Sequence, residues 1–101
     1  MRRHNMDVPQ ADLARLCRKH HIRRLSFFGS VLRDDFGPQS DVDLLVEFEP
    51  GHVPGLRLIS IQDELSLLFD GRPVDIVDPK YLNHRIRERV LSEARLQYAE
   101  G

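Results

Sequence analysis

Gly29-Ser30, a ten-residue gap and then Asp41-Val42-Asp43 hold the side chains of this chain best suited to chemistry. On an extended strand Asp41 and Asp43 point to one face, about 6.5–7 Å apart along it. Carboxylates so placed can bracket two metal ions about 3.5–4 Å apart, the spacing used for in-line phosphoryl displacement. A third acid, Asp75, stands in a second strand-like run, Arg72-Pro-Val-Asp-Ile-Val-Asp78. Three carboxylates suit Mg²⁺, a hard cation that takes oxygen ligands from protein, water and phosphate. The sequence shows no Cys/His cluster that would favour zinc. In this arrangement Asp41 and Asp43 bridge both ions. Asp75 holds the catalytic ion and helps to take the proton of an attacking hydroxyl.

Gly29 and Ser30 supply the complementary part, a place for phosphate. Glycine lets the backbone come close to an anion, and the start of the helix predicted after it offers unpaired N–H groups and a positive dipole end. The Ser30 hydroxyl adds a hydrogen bond to a β- or γ-phosphate oxygen. Arg33, one turn on, either neutralises phosphate charge or braces the loop by pairing with an acid. Taken singly, each part has a plainer explanation: Gly-Ser opens many helices, Asp-x-Asp decorates many solvent faces, and Asp75 can be an edge charge that blocks aggregation. Taken together, in this order and on these elements, they point to nucleotidyl transfer.

The elements that must position these groups can be read from periodicity. Residues 9–20 form a first helix, with Leu13, Leu16, Cys17 and His20 on one face and proline at an early position. Residues 22–28 form a strand ending at Gly29, and 30–36 a short helix stopped by Gly37-Pro38. In 41–48, Val42, Leu44, Val46 and Phe48 alternate with Asp41, Asp43, Leu45 and Glu47, the clearest strand signal in the chain. After a loop at 50–55, Leu58, Ile61, Leu65 and Leu68 mark an amphipathic helix that ends at Gly71. Residues 74–77 form the third strand. Leu82, Ile86, Val90 and Ala94 line a final helix with Arg and Glu on its outer face. The order α-β-α-β-α-β-α predicts an α+β domain, a small mixed sheet covered by helices, without repeats or linkers.

Size and composition agree. With 101 residues, 41% hydrophobic and 31% charged, residues 1–101 are expected to form a single folded domain. No apolar run approaches the roughly 18 residues of a membrane span and no signal peptide opens the chain, so a cytoplasmic protein is expected. The single cysteine, Cys17, reads as a small core residue suited to a reducing compartment. Net charge is −1, but residues 1–24 carry seven Arg/Lys against two acids, while 25–71 carry two Arg against nine acids. Divalent cations would offset the repulsion in that acidic middle. The basic segment reads as a solvated helix face, and no direct nucleic-acid binding is expected.

The run Phe28-Gly-Ser-Val-Leu-Arg-Asp-Asp-Phe-Gly-Pro-Gln-Ser-Asp-Val-Asp-Leu-Leu-Val46 resembles the signature of the minimal nucleotidyltransferase (MNT) family, part of the DNA polymerase beta-like nucleotidyltransferase superfamily. Gly71-Arg-Pro-Val-Asp-Ile-Val77 is similar to that family's third-acid strand, and residues 81–94 to its closing helix. The resemblance implies the nucleotidyltransferase fold, two Mg²⁺ ions and ATP as substrate. It places Asp41, Asp43 and Asp75 on the metal-ligand and catalytic positions, Gly29 and Ser30 on the triphosphate-binding positions, and Arg33 on the motif's arginine. Many such domains are antitoxins, encoded beside a HEPN-domain RNase toxin and thought to silence it by moving AMP onto a toxin tyrosine. The expected activity is therefore that of a protein adenylyltransferase. One departure is Asp34, where many relatives carry glycine; an added acid there works against triphosphate binding. Larger superfamily enzymes grip the acceptor with an extra domain, so a protein acceptor or a second subunit, in a homo- or hetero-oligomer, is expected to fill that role. Two alternatives accompany this reading: an antitoxin that acts mainly by binding, and the catalytic subunit of a small-molecule nucleotidyltransferase.

Overall fold

The structure is a computed structural model that describes residues 8–32, 40–52 and 54–100. Helix α1 (Gln10–Lys19) starts directly after Pro9, whose ring-fixed φ of −67° suits a helix start. His21 turns the chain into β1 (Ile22–Phe28) by adopting a left-handed φ of 58°. A 3₁₀ turn (Gly29–Leu32) follows, then β2 (Val42–Phe48). A second 3₁₀ turn (Gly55–Arg57) leads into α2 (Leu58–Leu68). Beyond α2, Asp70 and Gly71 are left-handed, at φ 60° and 79°, and the Gly71 N–H returns to the Ser66 carbonyl at 2.9 Å. Strand β3 (Val74–Val77), a third 3₁₀ turn (Pro79–Tyr81), α3 (His84–Glu93) and β4 (Arg95–Ala99) complete the order.

The strands form one sheet in the order β3-β2-β1-β4. β1 lies antiparallel to both β2 and β4, and β2 lies parallel to β3, so the sheet is mixed, as expected. Leu25 and Phe27 of β1 and Val42, Leu44 and Val46 of β2 share one face and pack with Leu13 and Cys17 of α1 and Ile61 and Leu65 of α2. Phe69 closes this layer, its ring 5.9 Å from that of Phe27 and tilted by 60°. Burial pushes the Cys17 thiol up to about 12, so it stays protonated and inert inside this core. Strand alternation sends Asp43, Leu45 and Glu47 to the opposite face. There Arg87 and Leu91 of α3 approach Arg24 and Glu47 across a cavity of about 330 Å³. No helix among the described residues is long and apolar enough to cross a membrane.

Three expectations need correction. The helix predicted over 30–36 is, where described, a tight 3₁₀ turn from Gly29 to Leu32, and 33–36 lie outside the described residues. Gly29 sits at φ 73°, outside the right-handed helical region, and Leu32 tucks against the core. The final helix stops at Glu93, because Ala94 is extended (φ −67°, ψ 147°) and opens β4, a strand that the helical period over 82–94 concealed. Helix α3 also differs in packing: Leu82 precedes it and Ile86 is 53% exposed. Polar contacts support it in place of burial. The Asn83 side chain accepts from the Arg85 N–H, and Arg87 donates to the Pro79 and Leu82 carbonyls, all at 3.0 Å.

Helices α1 and α2 are tied at the surface as well as in the core. Lys19 Nζ lies 3.1 Å and His20 Nε2 3.0 Å from Glu64 Oε1. The His20 hydrogen bond, with Lys19 beside it, holds the Glu64 carboxyl below its usual 4.5. A carboxyl depressed in the folded state stabilises fully above its unfolded value and loses that contribution as pH falls through the folded value. Glu64→Gln is therefore expected to cost about 0.2–1 kcal/mol at neutral pH, the range of partly exposed pairs. Thermal melts at stepped pH should show the wild-type advantage shrinking below about 4.5 and never below neutrality alone.

Candidate active site

Asp43 and Asp75 are direct partners in the parallel register of β2 and β3. In-register neighbours on parallel strands project to the same face across the roughly 4.8 Å between strands. The two carboxylates therefore stand side by side on the face opposite α1 and α2. Asp41 precedes β2 by one residue, and alternation carries it to the face of Asp43. The Val42 N–H donates to the Pro73 carbonyl at 2.8 Å, so the ladder starts at the level of these acids. Asp41 and Asp75 are exposed and Asp43 is half-buried.

On the other side of β2, Phe28 pairs with Asp43, and the chain leaves β1 at Gly29. A Cβ built on Gly29 would lie 2.5 Å from Asp43 Oδ2, 3.2 Å from its Cγ and 3.3 Å from its Cβ. Glycine is thus required twice over, by the positive φ of 73° and by the carboxylate against its backbone. Ser30 belongs to the same 3₁₀ turn, and its side chain lies outside the described set. Arg33 lies outside the described residues altogether. The structure sets Asp75 in register with Asp43 and Gly29 against Asp43, but the carboxylates of Asp41, Asp43 and Asp75 do not all come within 4.8 Å of one another.

Two residues that sequence reasoning passed over hold β3 in place. The Ser66 hydroxyl donates to the Arg72 carbonyl at 2.6 Å, and the Gln62 side-chain amide donates to the Val74 carbonyl at 3.2 Å. Both bonds run from α2 to the backbone that leads into Asp75. Their signal in the sequence is slight: two polar residues four apart on a helix that also carries Ser60, Asp63 and Glu64.

By donor type, the three acids suit a hard divalent cation. Three carboxylates supply only oxygen, and the glycine against Asp43 leaves the backbone side of the site open, where a side chain would fill it. Among the described residues, cavities lie elsewhere, toward the ends of β2 and β3. One of about 280 Å³ is mainly apolar, lined by Phe48, Pro54, Leu58, Ile76 and Tyr81, with His52, Asp78 and Lys80 at its polar edge. Tyr81 in its wall is 73% exposed, and Leu56 and Ile59, next in sequence to its Gly55 and Leu58, are 95% and 66% exposed.

Known proteins resemble this chain in sequence and fold. Residues 13–97 match the family described as Nucleotidyltransferase domain. A protein of Methanocaldococcus jannaschii named as a candidate protein adenylyltransferase is 36% identical over 76 residues, 75% of this chain and 80% of its own. Protein adenylyltransferase MntA of Thermococcus cleftensis is 37% identical over 73 residues, 71% of each chain. A solved structure described as a candidate minimal nucleotidyltransferase aligns with a TM-score of 0.70 at 40% identity, over 84% of this chain and 85% of the other. A toxin–antitoxin crystal structure with AMP-PNP has the same fold, with a TM-score of 0.71 at 17% identity over 92% and 75%. A match over residues 13–97, on a sheet that sets two acids in register, makes this chain a member of the nucleotidyltransferase-domain family and a nucleotidyltransferase.

Proposed function

We propose that this chain transfers AMP from ATP to a hydroxyl, that of a tyrosine, on a partner HEPN-domain RNase toxin, and so acts as its antitoxin. Residues 1–101 are read as one catalytic domain working in the cytoplasm. The observation that carries this reading is the register pairing of Asp43 with Asp75, with Gly29 backbone against Asp43. The names of the two relatives at 36% and 37% identity support the same activity. Asp41, Asp43 and Asp75 would hold Mg²⁺, two ions in this reading. Bound there, Mg²⁺ would neutralise phosphate charge and favour the developing negative charge on the reacting oxygens.

The chain's own residues do the rest. Gly29 admits the triphosphate close to the backbone of its turn, and Ser30 and Arg33 are assigned to the phosphate oxygens by their place in the motif. Asp75 takes the proton of the acceptor hydroxyl as its oxygen bonds to the α-phosphorus. The bond from that phosphorus to the bridging oxygen breaks, and pyrophosphate leaves with its electron pair. The acceptor comes from outside. Exposed Tyr81 in the wall of a mainly apolar cavity of about 280 Å³, with exposed Leu56 and Ile59 next in sequence to its lining, supports docking of a protein partner at that end.

The test is direct. α-Labelled ATP, Mg²⁺ and the product of the neighbouring gene should yield a labelled partner and pyrophosphate. Absence of label on that product, with label passing instead to a small alcohol, would favour a small-molecule enzyme. The same exposed apolar surface also favours a second reading, an antitoxin that neutralises by binding. In that case a folded Asp41→Ala, Asp43→Ala double variant would still neutralise the toxin at equal stoichiometry.

A further inference from the structure

The far end of the sheet carries a second constellation that takes no part in the proposed transfer. The turn between α1 and β1, the residue after β2 and the loop beyond it bring His21, Glu49 and His52 together. One ligand atom from each lies within 4.8 Å of the others. Backbone hydrogen bonds fix this approach. The Glu49 N–H donates to the His21 carbonyl at 2.8 Å, and the His52 N–H to the Glu49 carbonyl at 3.0 Å. His21 Nδ1 stands 3.5 Å from Glu49 Oε1, and the His21 and His52 rings stack 3.8 Å apart at 15°. The Glu100 backbone N–H is anchored on the Arg23 carbonyl at 2.9 Å. Two imidazoles and one carboxylate therefore meet at one corner. At about 3.3 Å per residue, that corner is about 20 Å along β2 from Asp43.

The donors decide the ion. Imidazole nitrogen with carboxylate oxygen suits zinc, cobalt, nickel or copper, whereas magnesium and calcium take oxygen alone. Zinc bonds of about 2.0–2.1 Å put tetrahedral ligand atoms about 3.4 Å apart. The His21–Glu49 contact at 3.5 Å already has that spacing. What remains is a rotation of His52, an exposed side chain on a loop, which turns its ring edge toward the ion and opens the stack. We propose that His21, Glu49 and His52 form a binding site for a divalent transition-metal cation of the zinc type. An ion there ties the loop at 50–54 to the start of β1 and stabilises the folded chain by mass action.

Calorimetric titration of zinc into the full chain carrying Asp43→Asn and Asp75→Asn, which removes the acidic site from competition, tests the assignment. One zinc per chain is expected. His52→Ala and, separately, His21→Asn should each weaken binding about tenfold or more, since loss even of a supporting group costs about 10–100-fold. Asparagine tolerates the left-handed φ of 58° at position 21, and circular dichroism checks that both variants fold. Zinc should also raise the thermal midpoint, and raise it less in either variant, while magnesium does not compete. No saturable zinc binding, or an affinity unmoved by both histidine variants, would overturn the site.

Discussion

Asp43→Asn is expected to lower AMP transfer about a thousandfold or more, roughly 4 kcal/mol of transition-state stabilisation, while the chain stays folded. Asp43 is the acid on which the geometry converges: it faces Asp75 across the parallel ladder on one side, and the Gly29 backbone packs against its carboxylate on the other. An amide of the same shape keeps the packing and removes the charge that a divalent cation requires. Stability should change little, because directly opposed like charges destabilise a sheet by roughly 0.2–1 kcal/mol and the substitution relieves that. The thermal midpoint is expected to stay within about 4–8 °C of wild type, the shift that 1 kcal/mol gives a domain of this size. Initial rates with labelled ATP provide the measurement. An asparagine variant that labels its partner at the wild-type rate would remove Asp43 from the site.

How much of this was legible in the sequence depends on whether a feature is local. The alternation in 42–48 marks β2 and says which of its residues face the core, because the side-chain period of a strand is visible one residue at a time. Leu13 and Cys17, one turn apart, mark the buried face of α1 for the same reason. The pairing of Asp43 with Asp75 is different. Both acids read as strand residues, but nothing in the chain states that their strands are adjacent and in register rather than slipped by one, which would turn them to opposite faces. Gly29 shows the same limit: its positive φ could be anticipated, the Asp43 carboxylate against its backbone could not.

β4 was hidden for a third reason. It is five residues long and lies at the sheet edge, and its Leu96 is 58% exposed, so neither burial nor length set it apart. The helical spacing of Leu82, Ile86, Val90 and Ala94 ran past the real end of α3 and masked its start. Nor does the sequence bring His21 near Glu49 and His52. Those residues meet only because β1 and β2 pair antiparallel, with Ile22 opposite Phe48, which brings the residue before one strand to the residue after the other.

Gly29→Ala, one added methyl, carries the second large effect. That methyl would stand 2.5 Å from Asp43 Oδ2, inside any allowed contact, so one partner must move. The Asp43 backbone cannot, since β2 is hydrogen-bonded to β1 at Phe28 and to β3 at Asp75. The carboxylate must rotate, and the change in its position relative to Asp75 is what the rate will read. Misplacement of a reacting group by about 1 Å costs on the order of a hundredfold, and a loss of that size is expected in AMP transfer. Alanine in the left-handed region adds a cost of about 1–2 kcal/mol to stability, visible in urea denaturation. Gly51→Ala separates the two effects. Gly51 has a φ of 84° and nothing within 4 Å of a built Cβ, so it incurs the same backbone strain without touching an acid. The two variants should lose similar stability, and only Gly29→Ala should lose the rate. Equal rates in the pair would mean that the Gly29 contact does not position Asp43, and the phosphate-side assignment of the turn would fall with it.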